Sequence, residues 1–109
     1  PIYASDYLAP AAMAGWMAAQ KAAATATLLD TDGKVGRAYG ARTTPHMYIV
    51  DPAGKLAYAG AIDSKASSNP ADIPAATNHV KQALGESLAG KPVSTPTTRP
   101  YGCSVKYSP

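Results

Sequence analysis

Alanine dominates residues 8–22, with Met13, Trp16, Met17 and Gln20 three and four positions apart and Pro10 where a first helical turn accepts proline. That spacing predicts an amphipathic helix with the Met13, Trp16 and Met17 stripe in the core. Residues 25–29 are β-branched and apolar and stop at Asp30-Thr31-Asp32-Gly33, which has turn chemistry, so a short strand and a turn are expected. Residues 35–39, followed by Gly40, fit one or two helical turns ended by a glycine cap.

Thr43-Thr44-Pro45 then forces extended backbone ahead of the most strand-like run of the chain, residues 46–50. Asp51-Pro52-Ala53-Gly54 places proline second and glycine fourth in a tight turn, and residues 55–62 complete a β-hairpin. Residues 69–72 read as a loop with an N-cap. Ile73, Thr77, Val80, Leu84 and Leu88 recur at helical spacing until Gly90 and Pro92, which predicts one long last helix. From residue 91 onward proline, threonine and serine leave an extended tail without periodicity. The division expected is therefore residues 1–90 as folded domain and 91–109 as tail, in an α/β arrangement with no internal repeat.

Composition narrows the function classes. The 109 residues are one domain or part of one, and Pro1 is not expected to be a native start. Nearly half of the 46% hydrophobic fraction is alanine, Phe is absent, and Leu, Ile and Val make up only about 14%, so the core formers are thin. The formal charge of +3 is spread from Lys21 to Lys106 without a cluster, which argues against a nucleic-acid partner. No membrane-spanning run and no leader segment is expected. The lone Cys103 excludes an internal disulfide, and the spacings of His46, His79, Asp51 and Cys103 match no metal-ligand pattern. Asp30-Thr31-Asp32-Gly33 has its glycine too early for a calcium loop, and Gly33, Gly36 and Gly40 fit no phosphate-binding motif. Neither a metal nor another cofactor is expected.

The segment Ala38-Tyr39-Gly40-Ala41-Arg42-Thr43-Thr44-Pro45-His46-Met47-Tyr48-Ile49-Val50-Asp51-Pro52-Ala53-Gly54-Lys55-Leu56 resembles the second half of a thioredoxin-like domain. Together with Pro100-Tyr101-Gly102-Cys103-Ser104-Val105-Lys106-Tyr107 it is similar to the redoxin branch of the peroxiredoxin and thiol-specific-antioxidant superfamily. The resemblance implies an incomplete thioredoxin-like fold: helix, short strand, short helix, cis-proline hairpin, C-terminal helix and tail. It implies a cis Thr44–Pro45 bond, with Thr44 and Pro45 shaping a substrate face and Arg42 adding positive charge beside it. The family's reactive cysteine belongs to an N-terminal half that this sequence does not contain, which leaves Cys103 as a resolving thiol and the chain inactive alone. A thiol, disulfide or peroxide is the substrate implied for the parent protein.

A rival reading is a non-enzymatic binding module. Residues 47–50 carry no charge and no proline, so an open edge there, together with the proline-rich tail, would recruit another chain by strand addition, either a second copy or the absent N-terminal half, or leave the chain poorly folded alone.

Overall fold

In the computed structural model of the chain, which describes residues 2–3, 10–21 and 23–107, helices alternate with short strands in a mixed α/β arrangement. Residues 1–41 with 105–109 form one unit and residues 42–104 another. Residues 8, 9 and 22 of the expected first helix and residues 108–109 of the expected tail lie outside the described residues.

In the first unit, β1 (Ile2–Tyr3) pairs in parallel with β2 (Leu28–Leu29). Helix α1 (Pro10–Ala19) begins on its proline and ends where Lys21 turns left-handed at φ 52°. The expected stripe is only partly right: Met13 is 4% exposed, but Trp16 is 49% exposed. Alanine surrounds the helix on every side, so no polar face fixes its rotation and tryptophan does not have to point inward. Helix α2 (Lys34–Tyr39) takes its N-terminal bonds from the preceding turn. Asp30 accepts the N–H groups of Val35 at 3.1 Å and Gly36 at 2.7 Å, and Asp32 accepts that of Lys34 at 3.1 Å. Gly40 closes the helix in the left-handed conformation, as its position predicts. The Tyr107 ring lies on this helix, its hydroxyl donating to the Ala41 carbonyl at 2.7 Å and the Arg37 guanidinium 4.9 Å from its centroid.

The second unit starts with β3 (Thr43–Thr44), a cis Thr44–Pro45 bond, and β4 (Met47–Val50). Strand β5 (Leu56–Gly60) returns antiparallel, with an irregularity at Ile49/Val50. The turn between them is the expected one, with Asp51 Oδ1 accepting the N–H groups of Ala53 at 3.0 Å and Lys55 at 2.8 Å.

The long last helix does not form. Residues 70–75 are a 3-10 helix, Ala76 is extended, and α3 (His79–Leu88) starts afresh from an Asn78 cap that accepts the Lys81 N–H at 2.9 Å. Pro74 supplies no N–H, and Thr77 is held sideways by Ser64, whose Oγ accepts from Thr77 N–H at 2.8 Å while Ser64 N–H donates to Thr77 O at 2.9 Å. Of the periodic positions only Val80 is half-buried, the others being exposed, Ile73 to 65% and Leu88 to 80%; α3 buries Ala83 where it packs on β4 and β5.

The segment after α3 is extended, and it docks. Ala59 N–H donates to Pro96 O at 3.0 Å and Thr98 N–H to Ala59 O at 3.2 Å, which adds the chain to the outer side of β5. Strand β6 (Cys103–Ser104) then pairs with β3. Beneath this return lies Tyr58, fully buried. Its hydroxyl donates to Ala61 O at 2.5 Å, lies 2.5 Å from Thr98 Oγ1, and Thr98 Oγ1 accepts the Ala61 N–H at 2.9 Å. With Thr98 donating to Tyr58, each group in the cycle is satisfied. Gly60 makes the approach possible, since a side chain there would stand 2.5 Å from the Thr98 carbonyl oxygen.

Candidate functional site

Four residues stood out as site candidates, and three of them meet. Strands β3 and β6 are antiparallel with Thr44 opposite Cys103 and Thr43 opposite Ser104, so the lone thiol sits across from the residue that precedes the cis-proline. Gly102, at φ 138°, allows this contact; a Cβ there would run into the Thr44 carbonyl and come within 3.3 Å of Pro45 Cδ. The Thr43 hydroxyl donates to Pro45 O at 2.8 Å and steadies the bend. Cys103 is a free thiol and exposed, as are Thr44 and Pro45. Such a thiol meets solvent and any docking chain directly.

Arg42 stands at the entrance to β3 with its side chain exposed. Its backbone N–H donates to Nδ1 of His46 at 3.2 Å, and the His46 ring stacks on Tyr48 with centroids 4.6 Å apart. Burial first, and then the Arg42 charge, push His46 below the usual histidine range. His46 is therefore a neutral acceptor beside the Thr44–Pro45 bend, and the positive charge of this face comes from Arg42.

An open cleft of about 690 Å³ begins at Thr43 and Gly102 and runs along residues 98–102 toward the start of α3. Asp63, His79, Arg99 and Tyr101 stand on its walls. The Tyr101 hydroxyl donates to Asp63 Oδ1 at 2.5 Å, and this bond holds the phenol above its usual range, so it remains a neutral donor. The His79 ring lies against Tyr58, with centroids 6.4 Å apart, and its Nδ1 is sealed from solvent without a partner among the described residues. Sequence reasoning considered His79 only as a metal ligand and passed over Asp63, Arg99 and Tyr101. They are spread over residues 63–101 with no local pattern; the one available signal was the polar and aromatic content of a proline-rich tail.

Among the described residues no group of three His, Cys, Asp or Glu side chains could hold a metal ion. No helix there is long and apolar enough to cross a membrane.

No protein-family model matches the chain, and no curated protein matches it. Among solved structures it is similar to a hypothetical protein from Sinorhizobium meliloti 1021, at 28% identity and a TM-score of 0.73. That match covers 86% of this chain and 50% of the other, so this chain spans half the length of that protein.

Proposed function

We propose that the chain is the C-terminal part of a thioredoxin-like redoxin of the peroxiredoxin and thiol-specific-antioxidant type, and that Cys103 is its second thiol. The observation that carries this reading is the pairing of Cys103 with Thr44 beside the cis Pro45. The order of helix, strand, short helix, X-Pro bend, hairpin and helix supports it, as does the likeness to half of a longer protein.

In this reading the parent's reactive cysteine reduces a peroxide and becomes a sulfenic acid. The Cys103 thiolate attacks that sulfur, an S–S bond forms, and hydroxide leaves to be protonated to water. An external dithiol then reduces the disulfide. Thr44 and Pro45 align the incoming chain, and Arg42 favours the thiolate and its anionic leaving group. With one thiol per chain, the isolated chain stops at a mixed disulfide and does not turn over.

Exchange with an oxidised peptide tests the reading. Cys103 in the folded chain is expected to react faster than in the urea-unfolded chain, and Pro45→Ala to slow the folded rate by about 10-fold or more. Equal rates folded and unfolded reject it.

A second reading, strand addition by a binding module, has its own observation. Residues 96–98 occupy the outer side of β5, while no described strand pairs with the other side of β4. Sedimentation equilibrium and amide exchange across β4 distinguish it: protection that rises with protein concentration supports pairing through this edge, and a strict monomer rejects it.

A further inference from the structure

The cleft beside β6 holds two opposite charges that do not neutralise each other. Asp63 Oδ1 accepts both the Tyr101 hydroxyl at 2.5 Å and the Lys65 N–H at 3.0 Å, while its Oδ2 takes no bond from a described residue. Arg99 lines the same cleft, is exposed, and makes no ion pair among the described residues. The Arg99 guanidinium and an Asp63 carboxylate oxygen, neither bonded to a described side chain, therefore share one concavity.

His79 adds a third function. Its Nδ1 is sealed without a partner among the described residues. A buried bare lone pair is less unfavourable than a buried unpaired N–H, so the proton belongs on Nε2. The ring lines the cleft, and Nε2–H is the donor it has to offer there. The remaining wall mixes the small apolar Ala61, Ala66 and Pro100 with the hydroxyl residues Thr43, Ser64 and Thr98.

These groups select a ligand class by charge. A phosphate dianion would gain Arg99 but meet the Asp63 carboxylate, and a simple cation would gain Asp63 but meet Arg99. A ligand that carries one positive and one negative group satisfies both. We propose that this cleft binds the head group of a free α-amino acid, with its carboxylate on Arg99 and the Nε2–H of His79 and its ammonium on Oδ2 of Asp63. Ala61, Ala66 and Pro100 accommodate a short side chain. This site lies wholly within residues 42–104 and does not depend on the redox reading.

Calorimetry and amide NMR with L-alanine, N-acetyl-L-alanine and L-alaninamide on the intact chain test it. L-alanine is expected to shift the amides of residues 63–66, 79 and 98–102. Blocking either charge of the ligand should weaken binding by about 10-fold or more, the size of one lost charged hydrogen bond. Asp63→Asn should bind L-alanine no better than the acetylated form, and Arg99→Gln no better than the amide. Absence of saturable L-alanine binding, equal binding of the blocked ligands, or shifts mapping to another surface would each overturn the assignment. Because all three ligands are compared on the unaltered chain, a variant that fails to fold does not obscure the result.

Discussion

The two units close on the same C-terminal segment by different chemistry. In residues 42–104, the segment is held by backbone bonds to Ala59 and by the closed cycle of Tyr58, Thr98 and Ala61, with the phenol fully buried. In residues 1–41 with 105–109, one tyrosine ring lies on α2 over Gly33 and Gly36, part-buried, with Arg37 across its face. A chain poor in Leu, Ile and Val thus uses tyrosine twice, once as a buried hydrogen-bonding hub and once as a surface clasp. The buried hub tolerates less, because each polar atom left unpaired there has no water to turn to.

The largest expected effect breaks the hub. Tyr58→Ala should destabilise the chain by about 3–5 kcal/mol through cavity and lost contacts, and Tyr58→Phe by about 1–3 kcal/mol because the Thr98 hydroxyl and Ala61 carbonyl lose their partner. Urea unfolding measures both. A neutral Tyr58→Phe would mean the hydroxyl cycle contributes nothing and that the two units are held alike.

The clasp is tested through its glycines. Gly33 and Gly40 have nearly equal φ, 71° and 70°, but a Cβ at Gly33 would stand 2.7 Å from Tyr107 Cδ1 while one at Gly40 meets nothing. Both alanine variants should lose about 1 kcal/mol from the left-handed backbone, and Gly33→Ala about 1–2 kcal/mol more from displacing the ring. In a Tyr107→Ala background that excess should vanish; its persistence would place the clash elsewhere.

Acid provides a smaller test of the first unit. The Gly36 N–H first, then the Val35 N–H, Asp32 and Arg37, hold Asp30 below the ordinary carboxylate range, against the opposing effect of burial. A carboxylate lowered on folding contributes its stability above its unfolded pKa and loses it as pH falls through the lowered value. Thermal melts between about pH 7 and about pH 3 should therefore show a loss at the acid end that Asp30→Asn flattens. An unchanged acid limb in that variant would show that another group sets it.

The smallest effect is that of Arg37. Arg37→Ala should lose roughly 0.5–1 kcal/mol, the value of an exposed cation–π contact, together with its bond to the Asp32 carbonyl. A Tyr107→Leu background that leaves this loss unchanged would exclude the ring contact as its source.

Much of the fold was legible where the deciding contacts are local. The Asp51 turn, the glycine stop of α2 and the alanine helix rest on bonds spanning at most five residues, and the hairpin pairs outward from that turn. Trp16 was misplaced because alanine on every side gives α1 no preferred inward face. The 73–88 helix failed for a non-local reason, the pairing of Thr77 with Ser64 thirteen positions away, helped by Pro74. Of the site, Thr44, Pro45, Arg42 and Cys103 could be named one by one, but neither their meeting nor the cleft next to them could.

By itself the sequence determined the turns, the caps, the hairpin and the number of sulfur nucleophiles, since these follow from backbone geometry and residue type within a few positions. Only the tertiary structure decided that residues 96–104 return along β5 and β3. That return is made by backbone N–H and C=O groups and the hydroxyls of Tyr58, Thr98 and Tyr101, which leave no hydrophobic period to read. It is also what brings Cys103 to Thr44 and Arg99 and Tyr101 to the cleft of Asp63 and His79. The candidate sites of this chain therefore rest on its least periodic segment, where Thr98, Tyr101, Cys103 and Ser104 are held by partners 37 or more positions away in the sequence.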